Sequence, residues 1–170
     1  MKIPRKILII SLLLPTVFMA GCQMFLPRIE GYMPLANLAC KSFARNKKSI
    51  NRLEGKTIQL WGYLDSANIF PPECKAAYSR KASFHIKPLA NNGPGESIPV
   101  LLEGDEKQYI SLFKQLDTLA KQHDKETIVL LTGTVQATEM VTNFNTLTGV
   151  VIHVSSSENI RFKQKDSISL

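Results

Sequence analysis

Three histidines, His85, His123 and His153, are the side chains best suited to proton transfer or metal ligation, and they lie far apart with no acids at ligand spacing. A zinc site needs three or four convergent ligands, so neither a metal nor a cofactor is expected. Serine, histidine and aspartate are all present, but no Gly-x-Ser-x-Gly elbow or phosphate-cradling glycine-rich loop accompanies them. The acid cluster Glu103, Asp105 and Glu106 reads as a helix start, because carboxylates favour the positive end of the helix dipole. Catalysis is therefore not expected. What does recur is a mixture of aromatic and cationic side chains: Trp61, Tyr63, Phe70, Tyr78, Arg80, Lys81, His85 and Lys87, with Phe144 further on. Such a mixture suits stacking against bases or sugar faces.

Cysteine supplies the remaining chemistry, at Cys22, Cys40 and Cys74. Ahead of Cys22, Lys2, Arg5 and Lys6 precede an apolar run over residues 7–18. That run is shorter than the roughly 20 apolar residues of a permanent transmembrane helix and reads as an export signal occupying residues 1–21. The sequence Met19-Ala20-Gly21-Cys22 resembles the bacterial lipobox, with Met19 where Leu is most often found. The resemblance implies that Cys22 is acylated and becomes the first residue of the mature chain; the alternative is a buried cysteine ending an apolar helix. Two or more acyl chains anchor a protein stably where one does not. In Gram-negative lipoproteins an Asp after the lipidated cysteine favours inner-membrane retention, so Gln23 points to the outer membrane, facing the periplasm. Cys40 and Cys74 form an even remainder, and in an exported protein that suggests a disulfide, the alternative being two unpaired buried thiols. Closing their loop of about 35 residues would stabilise the domain by roughly 3 to 4 kcal/mol.

Loss of residues 1–21 removes three cations and no acids, which lowers the formal charge from +7 to +4 and leaves 149 residues, the size of one domain. A charge of +4 is mild. It is compatible with anionic lipid headgroups, acidic glycans or nucleic acid, and equally with simple solubility. Residues 22–33, with Pro27 and Gly31 and no apolar period, read as a lipidated tether. From Pro34, the residues Leu35, Leu38, Ala39, Ser42 and Phe43 recur at helical spacing. Residues 56–64 alternate as a strand, with Ile58, Leu60, Gly62 and Leu64 on one side and Gln59, Trp61 and Tyr63 on the other. Residues 65–81 read as a long loop. Two further strands, over 82–88 and 98–102, form a hairpin, with Pro99 suited to an edge or strand start. Asp105 with Gln108 looks like a capping box ahead of a helix carrying Tyr109, Phe113, Leu116, Leu119 and Ala120. A continuous apolar run over 128–131 leads into Thr132-Gly133-Thr134-Val135, and a last strand covers 149–154, with residues 158–162 continuing along the barrel before a polar tail over 164–170.

The order is helix, three strands, helix, two strands. It predicts a mainly β domain over residues 34–163: a five-stranded OB-fold-like Greek-key barrel with a helix between strands three and four and a short N-terminal helix. A six-stranded or α+β sandwich is the competing architecture. The segments Leu53-Glu54-Gly55-Lys56, residues 58–64 and residues 131–135 resemble the first and fourth strands of the tRNA-anticodon-binding-like OB-fold families. That resemblance implies a ligand face on the second and third strands and neighbouring loops, made here of Trp61, Tyr63, Arg80, Lys81, His85, Lys87 and Phe144. The competing expectation is that Trp61 and Tyr63 are covered by the N-terminal helix or the long loop. Some OB-fold nucleases arrange Asp, Glu and Arg around calcium, but the first strand here offers only Asp65. Two functions follow as expectations. One is a non-catalytic lipid-anchored subunit of an envelope complex with a protein partner, and the other is a lipoprotein that binds acidic glycan or nucleic acid.

Overall fold

The computed structural model describes residues 26–38, 51–74, 81–90, 97–122, 126–141 and 146–165. Its strands are β1 (Met33–Pro34), β2 (Thr57–Phe70), β3 (Ser83–Lys87), β4 (Ile98–Leu102), β5 (Thr127–Val141), β6 (Thr146–Val154) and β7 (Ile160–Gln164). Helix α1 (Ile110–Ala120) lies between β4 and β5. Strands β2, β3, β4, β6 and β5 follow one another in hydrogen-bonded order, and β2 pairs back onto β5, which closes a five-stranded barrel. The β4–β6 pair is parallel and the other barrel pairs are antiparallel. This is the Greek-key order of an OB-fold-like barrel. Closure removes the open sheet edges that a five-stranded sandwich layer would leave.

Alternation fills the barrel. Leu60, Phe84, Ile86, Val100, Val129, Leu131, Val135, Ile152 and Val154 are buried in one core. Residues 35–38 are helical, and Leu35 and Leu38 join that core; the rest of the helix expected after Pro34 lies outside the described residues. Tyr109, Leu112, Phe113 and Leu116 bring α1 onto the same core. The capping box before α1 is only half formed. Asp105 accepts from the Lys107 amide at 3.0 Å, but the Gln108 side chain donates to the Glu103 carbonyl instead of reaching back. A 3-10 turn, Glu106–Tyr109, therefore precedes the α-helix.

Strand β2 runs past the boundary that alternation suggested. Its pairing with β3 passes from Asp65↔His85 to Ile69↔Phe84, leaving residues 66–68 in a bulge. Asp65 holds that bulge: its carboxylate accepts from the Ala67 amide at 3.3 Å and from Asn68 Nδ2 at 2.8 Å. Ser-Ala-Asn has loop composition, which is why the strand reads as ending early. Cys74 follows in the turn after β2 and carries a free, exposed thiol, so the expected bridge to Cys40 is not formed there; Cys40 lies outside the described residues.

β5 changes partners along its length, from β7 over residues 127–131 to β6 over residues 134–141. Gly133 sits at the change. A Cβ there would stand 2.6 Å from Ile152 Cγ2 and 2.7 Å from the His153 carbonyl oxygen, so the position accepts no side chain. Gly133→Ala is expected to destabilise the domain by about 1 to 3 kcal/mol through overpacking, read as a lower urea midpoint with an unchanged slope.

Candidate functional site

Trp61 and Tyr63 point outward from β2, as alternation requires, and they are nevertheless buried, at 1% and 9% exposure. The cover is the chain just ahead of the barrel. Within the stretch read as a tether, Ile29 is buried against Trp61, Tyr63, Ile128 and Leu130, with Leu26 and Tyr32 packed at the margin. The Trp61 indole N–H donates to the Pro27 carbonyl at 3.1 Å, and the two rings meet edge to face at 5.9 Å. Residues 29–32 form a tight reverse turn closed by Tyr32 N–H to the Ile29 carbonyl at 2.8 Å and Ile29 N–H to the Tyr32 carbonyl at 3.2 Å. Its central residues Glu30 (φ 50) and Gly31 (φ 84) both occupy the left-handed region, which glycine enters without strain and glutamate does not. After the turn, β1 runs parallel to β2, Met33 opposite Leu60 and Pro34 opposite Trp61.

β7 clips this strap in place. Leu130 faces Arg161 and Ile128 faces Lys163 across the β5–β7 ladder, so both cations flank the covered apolar strip. Arg161 donates to the Tyr32 hydroxyl at 3.1 Å, stands 5.5 Å from the Tyr32 ring centre and pairs with Glu30 at 3.4 Å. Lys163 also pairs with Glu30, and that bond holds the Glu30 carboxyl below its ordinary value. Beneath them, burial pushes the Tyr63 phenol up. An open groove of about 490 Å³ runs between strap and barrel, lined by Arg28, Met33, Thr57, Gln59 and Thr132 among others.

The expected ligand face is thus divided. Trp61 and Tyr63 lie under the strap. Arg80 and Phe144 fall outside the described residues. Lys87 is tied down at 3.1 Å to Asp65, which is only 2% exposed. Burial works against ionisation of Asp65, yet hydrogen bonds from Asn68 and Lys87 outweigh it and hold the carboxyl below its ordinary 3.8.

His85 and Lys81 belong to a different surface, the outer side of β3, β4 and β6. The register places His85 opposite Pro99 and Ser83 opposite Leu101, which in turn stands opposite His153. Pro99, Leu101, His85 and His153 are all half-buried. His85 Nδ1 shares a hydrogen bond with Ser97 Oγ at 3.0 Å, and its ring meets Phe70 edge-on at 5.8 Å. Burial pushes its pKa below the ordinary 6.5, against the pull of Asp65, so the imidazole is neutral at pH 7. His153 Nδ1 lies 2.7 Å from Glu103 Oε1, while its Nε2 is buried and has no hydrogen-bond partner among the described residues. Lys81 reaches the same Glu103 at 3.8 Å. The surface therefore has an apolar and imidazole centre between two ion pairs, Lys87–Asp65 at one end and Lys81–Glu103 at the other. Leu101, Glu103 and His153 were missed as surface residues, although the alternation of Val150, Ile152 and Val154 into the core places His153 outside. Among the described residues no three His, Cys, Asp or Glu side chains converge on one point.

No family model matches the chain, and no curated protein matches it. Among solved structures it is similar to OBody AM3L09 bound to hen egg-white lysozyme, at 26% identity and a TM-score of 0.39, over 67% of this chain and 87% of that one. OBody AM2EP06 bound to the same lysozyme gives 25% and 0.39 over 67% and 85%. The OB-fold-like description of this barrel rests on its own strand pairing.

Three outcomes are expected. Gly31→Val forces a β-branched residue into the left-handed region, at a cost of about 1 to 3 kcal/mol, and the emission of Trp61, the single tryptophan, shifts to the red as the strap loosens. Asp65→Ala leaves the Lys87 ammonium unpaired and should destabilise the domain by about 2 to 4 kcal/mol, below the fully buried figure because a fifth of Lys87 remains in water. Acid sensitivity follows from the lowered values of the two partly buried groups, His85 and Asp65. The His85 contribution is complete above 6.5 and is lost as pH falls below it, and the Asp65 contribution is complete above 3.8 and is lost as pH falls through the lower folded value. Urea midpoints measured against pH should fall in both windows, with His85→Gln flattening only the upper one.

Proposed function

We propose that this chain is a non-catalytic, membrane-anchored lipoprotein whose barrel binds a protein partner and serves as an accessory subunit of a cell-envelope complex. The anchor is Cys22, acylated and then made the first residue by removal of residues 1–21, and the membrane is the outer membrane with the barrel in the periplasm, as Gln23 suggests. The observation that carries the protein-partner reading is the burial of Trp61 and Tyr63 under residues 26–32. Stacking of bases or sugars needs an aromatic face open to the ligand, and here the two aromatic side chains best placed for it are spent on the molecule's own N-terminal strap. Lys87, a cation that would have tracked a polyanion, is neutralised by Asp65.

The anatomy of the surface on β3, β4 and β6 supports the protein-partner reading. Its centre holds Leu101, Pro99 and neutral His85, and charged pairs stand at its ends. Interface cores are depleted of charge and enriched in aromatic and apolar groups, with a polar rim. Glycan or nucleic acid would instead require a cationic, aromatic groove with steep salt dependence.

Photo-crosslinking probes placed singly at Lys81, Pro99 and Arg28 in the native cells test this reading. A single protein adduct is expected from Lys81 and Pro99 and not from Arg28. Recovery of glycan or nucleic acid from the same two positions, with no protein, would overturn it.

A further inference from the structure

We infer that the barrel sits on the bilayer with its strap side down, the cations of β7 and Arg28 meeting anionic lipid headgroups, and with the β3–β4–β6 surface turned away from the membrane. This rests on acylation of Cys22. Only the four peptide links from Cys22 to Leu26 separate the anchor from chain already packed on the barrel, a reach of at most about 14 Å. A compact domain of this length has a radius of gyration of about 14 Å, so its width exceeds twice that reach. The tether therefore cannot carry the far side of the barrel to the lipid surface.

The near side has the charge for the contact. The outward residues of β7 are Arg161 and Lys163, 54% and 33% exposed, and Lys165 follows at 43%. Arg28 on the strap is exposed. Among the described residues, the same surface sets two carboxylates, Glu30 and Glu126, against these four cations, each paired with β7 side chains or Lys165, which leaves an excess of two positive charges. An anionic leaflet attracts basic residues that come within a Debye length of it, about 10 Å, and the short tether lets this side of the barrel come that close. The far side follows from topology. The strap covers the β2–β5 seam, and in a ring ordered β2, β3, β4, β6, β5 the strand opposite that seam is β4. Leu101, His85 and His153 accordingly face the aqueous compartment, where a partner has access.

The test uses the mature acylated chain, residues 22–170, in nanodiscs of phosphatidylethanolamine and phosphatidylglycerol containing a nitroxide-headgroup lipid, read as paramagnetic broadening of backbone amide signals. Broadening is expected to be severalfold greater at Ile29, Tyr32, Arg161 and Lys163 than at His85, Leu101 and His153, and to weaken at Arg161 and Lys163 in phosphatidylcholine alone. Equal broadening on both sides, in protein whose Cys22 peptide carries the acyl mass, would overturn the orientation and leave the anchor standing. A Cys22 peptide of unmodified mass would overturn both.

Discussion

The strap and the barrel share one interaction on which the arrangement of this molecule depends: the Trp61 indole, buried beneath Ile29 and hydrogen-bonded to the Pro27 carbonyl. A tryptophan buried on the outside of a barrel strand needs both an apolar cover and a partner for its N–H. The strap supplies both from a single stretch of chain. Once it is in place, Tyr63, Ile128 and Leu130 lose their water together, and the cations of β7 find Glu30 and Tyr32 within reach. The ion pairs sit at the exposed margin of the apolar strip and hold the strap over it.

That cover determines which surface is available for function. An OB-fold-like barrel offers its outer strands and the loops at its rim, and this one spends the β2–β5 seam on its own chain. Among the described residues, the β3–β4–β6 side is left open, bounded by the Lys87–Asp65 and Lys81–Glu103 pairs. Asp65 has a double task. It fixes the bulge that lets β2 continue to Phe70, and it holds Lys87, so the same carboxylate shapes one rim of the surface and sets its charge. Phe70, carried there by the prolonged strand, then packs its ring against His85.

Much of the barrel was legible in the sequence, because period-two alternation in residues 56–64, 82–88 and 149–154 marks which side chains meet the core. The strap was not, because Pro27 and Gly31 have tether composition and a seven-residue stretch has no period to read. A signal for it was nonetheless present. Residues 128–131 are apolar without alternation, and a barrel strand with one face in water would alternate. Ile128 and Leu130 are apolar because they lie under the strap, opposite Tyr63 and Trp61 in the ladder. An unbroken apolar run on one strand, paired with outward aromatics on its neighbour, indicates burial on both faces. The extension of β2 escaped for a different reason. The bulge over residues 66–68 is made by a side chain, Asp65, acting on its own backbone and on a lysine from another strand, and the second partner is remote in sequence.

The most direct test of the central claim is the hydrogen exchange of the Trp61 indole N–H, observed by NMR as the one indole signal the chain possesses. A strongly protected proton, with cross-peaks to Pro27 and Ile29, is the predicted result. Exchange at the rate of a free indole, with no contact to residues 26–32, would contradict the account and reopen the aromatic face to ligands.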